Sequence, residues 1–165
     1  MSAAHRIVPC LWFDTQAEDA ANFYVSVFKN SKINLITRYS TAGQETHHQK
    51  PGSVMTVEFE LDGEVFTALN AGPVFKFNEA VSFQIMCDTQ AEVDHYWNTL
   101  TAGGDPKAQQ CGWLKDKFGL SWQVVPRKMI ELMKDHQSED AKKAMTAMLK
   151  MKKIDIAEIE RAVAQ

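Results

Sequence analysis

No stretch of this sequence is long and apolar enough to cross a bilayer as a helix. A surplus of positive charge is missing too. Eighteen Lys and Arg stand against 21 Asp and Glu, a net charge of −3, so no nucleic-acid partner is expected. Cysteine is scarce: Cys10, Cys87 and Cys111 cannot all pair within one chain, and their spacing fits no zinc motif. Met1 to Arg6 lacks the apolar core of an export signal. Free thiols in a reducing cytoplasm are therefore expected. There is also no phosphate-binding Gly-rich loop, no Ser-His-Asp pattern, and no acid–base pair at informative spacing.

What remains is an ordinary globular composition. The 165 residues are 45% hydrophobic and 24% charged, enough for one domain with a substantial core. Within them one five-residue word occurs twice. Asp14-Thr15-Gln16-Ala17-Glu18 returns as Asp88-Thr89-Gln90-Ala91-Glu92. Each copy follows an apolar run, opens an amphipathic one and contains Thr-x-x-Glu. In such a capping box the Thr side chain accepts from the amide three residues on, and the Glu reaches back to the cap amide. Both copies are thus expected to be strand-to-helix corners, and the chain to consist of two related halves.

In the first half, Ile7 to Phe13 reads as a strand, placed at an edge or bulge by Pro9, which lacks a ladder donor. Ala17, Ala20, Ala21, Tyr24, Val27 and Phe28 recur at helical spacing. Ile33 to Tyr39 is a second strand, followed by a long polar loop over residues 41–53. Val54 to Leu61 alternates in hydrophobicity, Asp62-Gly63 is a hairpin turn, and Val65 to Asn70 returns. The second half is a shortened copy. Val81 to Cys87 is a strand, and Val93, Tyr96, Trp97 and Leu100 form a buried helix stripe. Cys111 to Leu114 and Leu120 to Val125 are strands joined by a turn in which Asp116 precedes Gly119. Any strand between Gly104 and Gln110 is weak. Residues 127–165 are helical and Met-rich, with caps expected at Ser138 and Asp155. Their apolar faces must cover either their own sheet or a neighbouring subunit.

A β-α-β-β-β unit written twice resembles the vicinal oxygen chelate superfamily, which includes glyoxalase I, bleomycin-resistance proteins and extradiol dioxygenases. Within it the chain looks like the PhnB-like branch. The matching text is Leu11-Trp12-Phe13-Asp14, Asn22-Phe23-Tyr24, Ala68-Leu69-Asn70-Ala71-Gly72-Pro73 and Cys111-Gly112-Trp113-Leu114-Lys115-Asp116. In the tail it is the run from Ala147 to Asp155. The resemblance implies an α+β fold of two βαβββ modules, residues 5–72 and 79–126, forming curved mixed sheets. A C-terminal helical extension over 127–165 completes it. The resemblance also implies a homodimer.

Members of this branch often carry the label 3-demethylubiquinone 3-methyltransferase. The residues argue against that chemistry, because no Gly-rich turn follows a first parallel strand to hold a nucleotide-like donor. The superfamily's usual metal is also unsupported. Its four ligand places fall near Ile7, near Val81, near Asn70 and on Gln123, and amides bind divalent ions far less well than carboxylate or imidazole. His5, two residues along the first strand, is the one candidate rescue; His47-His48, with Glu45, reads as a solvated loop pair. No metal and no cofactor are expected.

If those places line a concave face, alternate residues of the same strands line it too. The expected pocket is Leu11, Phe13, Asn70, Cys111, Trp113, Ser121 and Gln123, with Pro9 and Ala68 beside them. Asn70 and Gln123 either line it or hydrogen-bond across the junction of the modules. Trp113 faces the cavity or packs in the core, and Trp12 is read as packing beneath a helix. Cys111 has no nearby His in sequence and reads as an inert thiol near the mouth. The expectation is a metal-free protein that binds a small apolar or aromatic molecule between the modules. The alternatives are a metal-dependent lyase or isomerase of glyoxalase type, using His5 and Gln123, and a dimeric structural or regulatory protein.

Overall fold

A computed structural model describes residues 5–165, which divide at Lys76 into two compact units. In the first, β1 (Cys10–Phe13) leads into helix α1 (Ala17–Val27), then β2 (Lys32–Arg38), a one-turn helix α2 (Gln44–His47), β3 (Val54–Leu61) and β4 (Glu64–Asn70). The strands form one sheet in the order β1-β4-β3-β2, with β1 parallel to β4 and the other neighbours antiparallel. Asp62 and Gly63 take left-handed φ values of 50° and 86°, the two positive angles that a tight two-residue hairpin requires.

The register separates the two sides of this sheet. Leu11 pairs with Ala68 and Phe13 with Asn70, while Phe59 faces Phe66 and Val57 faces Ala68. All lie on the side that α1 covers. Helix α1 presents Ala17, Ala20, Ala21, Tyr24 and Val27 to them, and the alanines let its axis lie close to the strands. The Tyr24 ring stacks 6.3 Å from Phe59, which stacks 5.5 Å from Phe66.

The repeated word does not fold the same way twice. Thr89 forms the full box: its hydroxyl accepts from Glu92 N at 3.2 Å, and the Glu92 carboxylate accepts from the Asp88 and Thr89 amides. At α1 the expected Thr15 box is absent. The helix begins one residue later, with Gln16 as its cap and no capping bond from that side chain. The cap comes from the sheet instead, because Asn70 at the end of β4 offers Oδ1 to Ala17 N at 2.8 Å.

The second unit repeats the plan with one strand fewer. It contains β5 (Phe83–Cys87), α3 (Gln90–Thr101), β6 (Trp113–Lys115) and β7 (Ser121–Pro126), in the sheet order β5-β7-β6. Where the first unit has β2, this one has a 3-10 turn at Pro106–Ala108 whose amide at Lys107 is capped by Asp105. Ile85, Cys87, Leu114, Trp122 and Val124 pack on the α3 side with Val93, Trp97 and Leu100. Buried Asp116 ties the β6–β7 turn together. One oxygen accepts from Phe118 N and Leu120 N at 2.8 and 3.1 Å, and the other accepts from the Trp122 indole at 2.9 Å.

Helices α4 (Arg127–Met133), α5 (Glu139–Met148) and α6 (Ile156–Ala164) belong to this second unit. Met129, Ala144, Met151, Ile154 and Ile159 form a separate small core among them. Ser138 and Asp155 cap α5 and α6 as expected. The segment between those helices lies against its own unit: Met151 and Lys152 carbonyls accept from Cys111 N and Gly112 N at 2.9 and 2.7 Å. The Gln90 amide clasps the backbone on both sides of Asp155, donating to Ile154 O at 3.1 Å and accepting from Ile156 N at 2.9 Å. Lys153–Asp94 and Arg127–Asp88 ion pairs add to this. Among the described residues no helix is long and apolar enough to cross a membrane.

Candidate functional site

Each sheet has one side that its helix leaves open. In the first unit the register assigns Cys10, Trp12, Glu58, Thr67, Thr56 and Leu69 to that side. Trp12 is half-buried there, its indole N–H donating to Gly72 O at 2.8 Å and its ring edge-on to Phe75 at 4.9 Å. The placement of Trp12 beneath a helix is corrected by this register.

Leu11, Phe13 and Asn70 lie on the other side. Leu11 and Phe13 are buried under α1, and Asn70 spends its side chain on Ala17 N and on Val54 O. The strand count set them facing a cavity; the register sets them facing the helix. The error lies in matching Asn70 with Gln123. In the repeat, Phe13 corresponds to Cys87, and these pair with Asn70 and Pro126. Cys10 corresponds to Gln84, and these pair with Thr67 and Gln123. Thr67 is therefore the counterpart of Gln123, three residues from Asn70, and an odd shift changes the face.

In the second unit three of the expected residues do share the open side. Gln84 on β5, Gln123 on β7 and Trp113 on β6 are register partners in one row. Ser121, paired with Lys115, belongs to the next row, and Met86 with Val125 to the row on the other flank. Gln123 donates to Ser82 Oγ at 2.9 Å and accepts from Gln84 Nε2 at 3.4 Å. Lys115 is ion-paired with Glu79, whose carboxyl is held below the usual carboxylate range by that bond. Ser121 is only 1% exposed, and its hydroxyl has no hydrogen-bond partner among the described residues.

Cys111 sits at the corner leading into β6 in a left-handed conformation, φ 50°, and its sulfur takes a bond from the Gln110 amide at 3.3 Å. Cys87 is buried, and desolvation together with the Glu92 and Asp88 carboxylates pushes its thiol up to about 12. It is no nucleophile.

Among the described residues no group of three His, Cys, Asp or Glu side chains is placed to hold a metal ion. His5 lies 3.8 Å from the Glu64 carboxylate. His47 has both ring nitrogens engaged: Nδ1 accepts from Gln49 N at 3.0 Å, which leaves Nε2–H to donate to Ala42 O at 3.1 Å. A polar cleft of about 200 Å³ at the start of α1, bounded by Asp14, Glu18, Asp19, Gln49, Ser53 and Asn70, was not expected from the sequence. Gln84 was missed as well, although its place opposite Gln123 follows from the same strand alternation.

Residues 5–125 match the model of the family described as 3-demethylubiquinone-9 3-methyltransferase. The chain belongs to that family, the PhnB-like branch of the vicinal oxygen chelate superfamily. A solved structure from Bacillus cereus, described as a 3-demethylubiquinone-9 3-methyltransferase and PhnB protein, is 33% identical. The match covers 74% of this chain and 99% of that one, with a TM-score of 0.63. A Pseudomonas aeruginosa structure shares the fold at 19% identity, covering 74% of this chain and 98% of its own, with a TM-score of 0.57. No curated protein matches the chain.

Proposed function

We propose that this PhnB-like protein binds a small apolar or aromatic molecule on the open sides of its sheets, without a catalytic metal and without methyl transfer. The observation that carries this reading is the lining of those sides. Trp12 and Leu69 in one unit, and Trp113, Met86 and Val125 in the other, supply apolar surface. Threonine hydroxyls and glutamine amides supply neutral polar points, and the charged Glu58 and Lys115 on those sides are bonded to Asn34 and Glu79, a composition suited to an uncharged ligand with a planar part. Amides and hydroxyls make a poor donor set for a divalent ion. The first strand of each parallel pair, β1 and β5, leads into a helix, yet neither corner is the Gly-rich turn of a nucleotide-like donor site. A homodimer in the cytoplasm, with no nucleic-acid partner, completes the reading.

Binding of 1-naphthol, followed by quenching of tryptophan fluorescence, tests it. Saturable binding is expected to be the same before and after prolonged treatment with a chelator. Binding that is lost on chelation and restored by one divalent ion per chain would overturn the reading.

A further inference from the structure

We propose that the open side of the second unit recognises an uncharged carboxamide-like edge, one hydrogen-bond acceptor beside one donor, carried on a planar ring. This inference rests on the ligand-binding reading above and names the class of ligand. Its basis is a polarised chain of hydrogen bonds across the sheet. Gln84 Nε2 donates to Gln123 Oε1, and Gln123 Nε2 donates to Ser82 Oγ. Both functions of the central amide are used, and whichever way the chain runs it has a donor at one end and an acceptor at the other. In the direction given, and among the described residues, the chain leaves a carbonyl oxygen on Gln84 without a donor at one end and the hydroxyl hydrogen of Ser82 at the other. A carboxamide or lactam answers both, giving its N–H to Gln84 and its C=O to Ser82. A carboxylate answers only one and sets its charge against the Gln84 carbonyl.

Two further observations point the same way. Ser121 is buried in the neighbouring row, and its hydroxyl, without a partner among the described residues, adds a neutral polar group and no charge. Lys115, paired in register with Ser121, has its charge taken by Glu79, so the row offers no free cation to an anion. The ring finds Trp113 at the end of the amide row, the large rigid contact that orients planar ligands.

The test compares benzamide, benzoate and toluene as probes of the full chain by two-dimensional NMR. Benzamide is expected to shift the side-chain amide signals of Gln84 and Gln123 and the indole signal of Trp113. It should bind about fivefold more tightly than benzoate, the worth of one hydrogen bond. Gln84→Leu, at an exposed position, should cut that preference to within about twofold while toluene still binds. Equal or tighter binding of benzoate, or a preference that survives Gln84→Leu, would overturn the inference and leave the ligand-binding reading standing. Failure of all three probes to shift any open-side signal would overturn both.

Discussion

At the scale of single residues, the polar groups that matter are those that bridge elements. Asp116 accepts three bonds from within a buried turn. Asp116→Ala removes the shared acceptor of an indole N–H and two amides, and is expected to cost about 3 kcal/mol in urea unfolding. Gly112 is tied as tightly, because a Cβ there would meet Val124 O at 2.8 Å and its φ is 85°. Cys87 gives a pH prediction. Folding disfavours its thiolate, so stability is undiminished below the ordinary thiol value of 9.0 and falls as pH rises from there toward about 12. In the native protein iodoacetamide should label exposed Cys10 and half-buried Cys111 long before Cys87. Equal labelling at neutral pH would contradict that assignment.

At the scale of elements, most strands and helices were legible because hydrophobic period and turn chemistry agreed. Met55, Val57, Phe59 and Leu61 mark β3, and Asp62-Gly63 marks its hairpin. The Thr89 box was legible because nothing competes with it. The Thr15 box was not, since its replacement, Asn70, is 53 residues away from the amide it caps. Facing was the weakest inference: Leu11, Phe13 and Trp12 were each set on the wrong side by a strand phase counted across a repeat of unequal length. The docking of the C-terminal segment left no local signal, because its partners are backbone groups at Cys111 and Gly112 and the distant side chains of Gln90, Asp94 and Gln110. Gln90→Ala removes two backbone bonds from that glutamine and should weaken the segment by about 2 kcal/mol. Amide exchange should rise over residues 149–156 ahead of the sheet, and uniform exchange throughout the second unit would show that the clasp is not local.

At the scale of the whole molecule, the family fold sets where chemistry can occur, and the side chains set which chemistry. Two sheets each keep one side free of helix. The residues on those sides are aromatic, aliphatic and amide-bearing, with acidic Glu58 held by Asn34 at 3.2 Å. The Met-rich extension completes the second unit through a core of its own, so Ile159→Ala, which opens a void at that core, should lower stability by about 3 kcal/mol. The same variant should leave the first unit's sheet intact, as read by exchange protection over β3 and β4.

The most direct test of the central claim is native mass spectrometry of protein purified without chelator. A dimer mass with no stoichiometric metal is expected, and an added organic mass wherever a ligand has travelled with the protein. One divalent ion per chain, lost on chelation together with ligand binding, would contradict it.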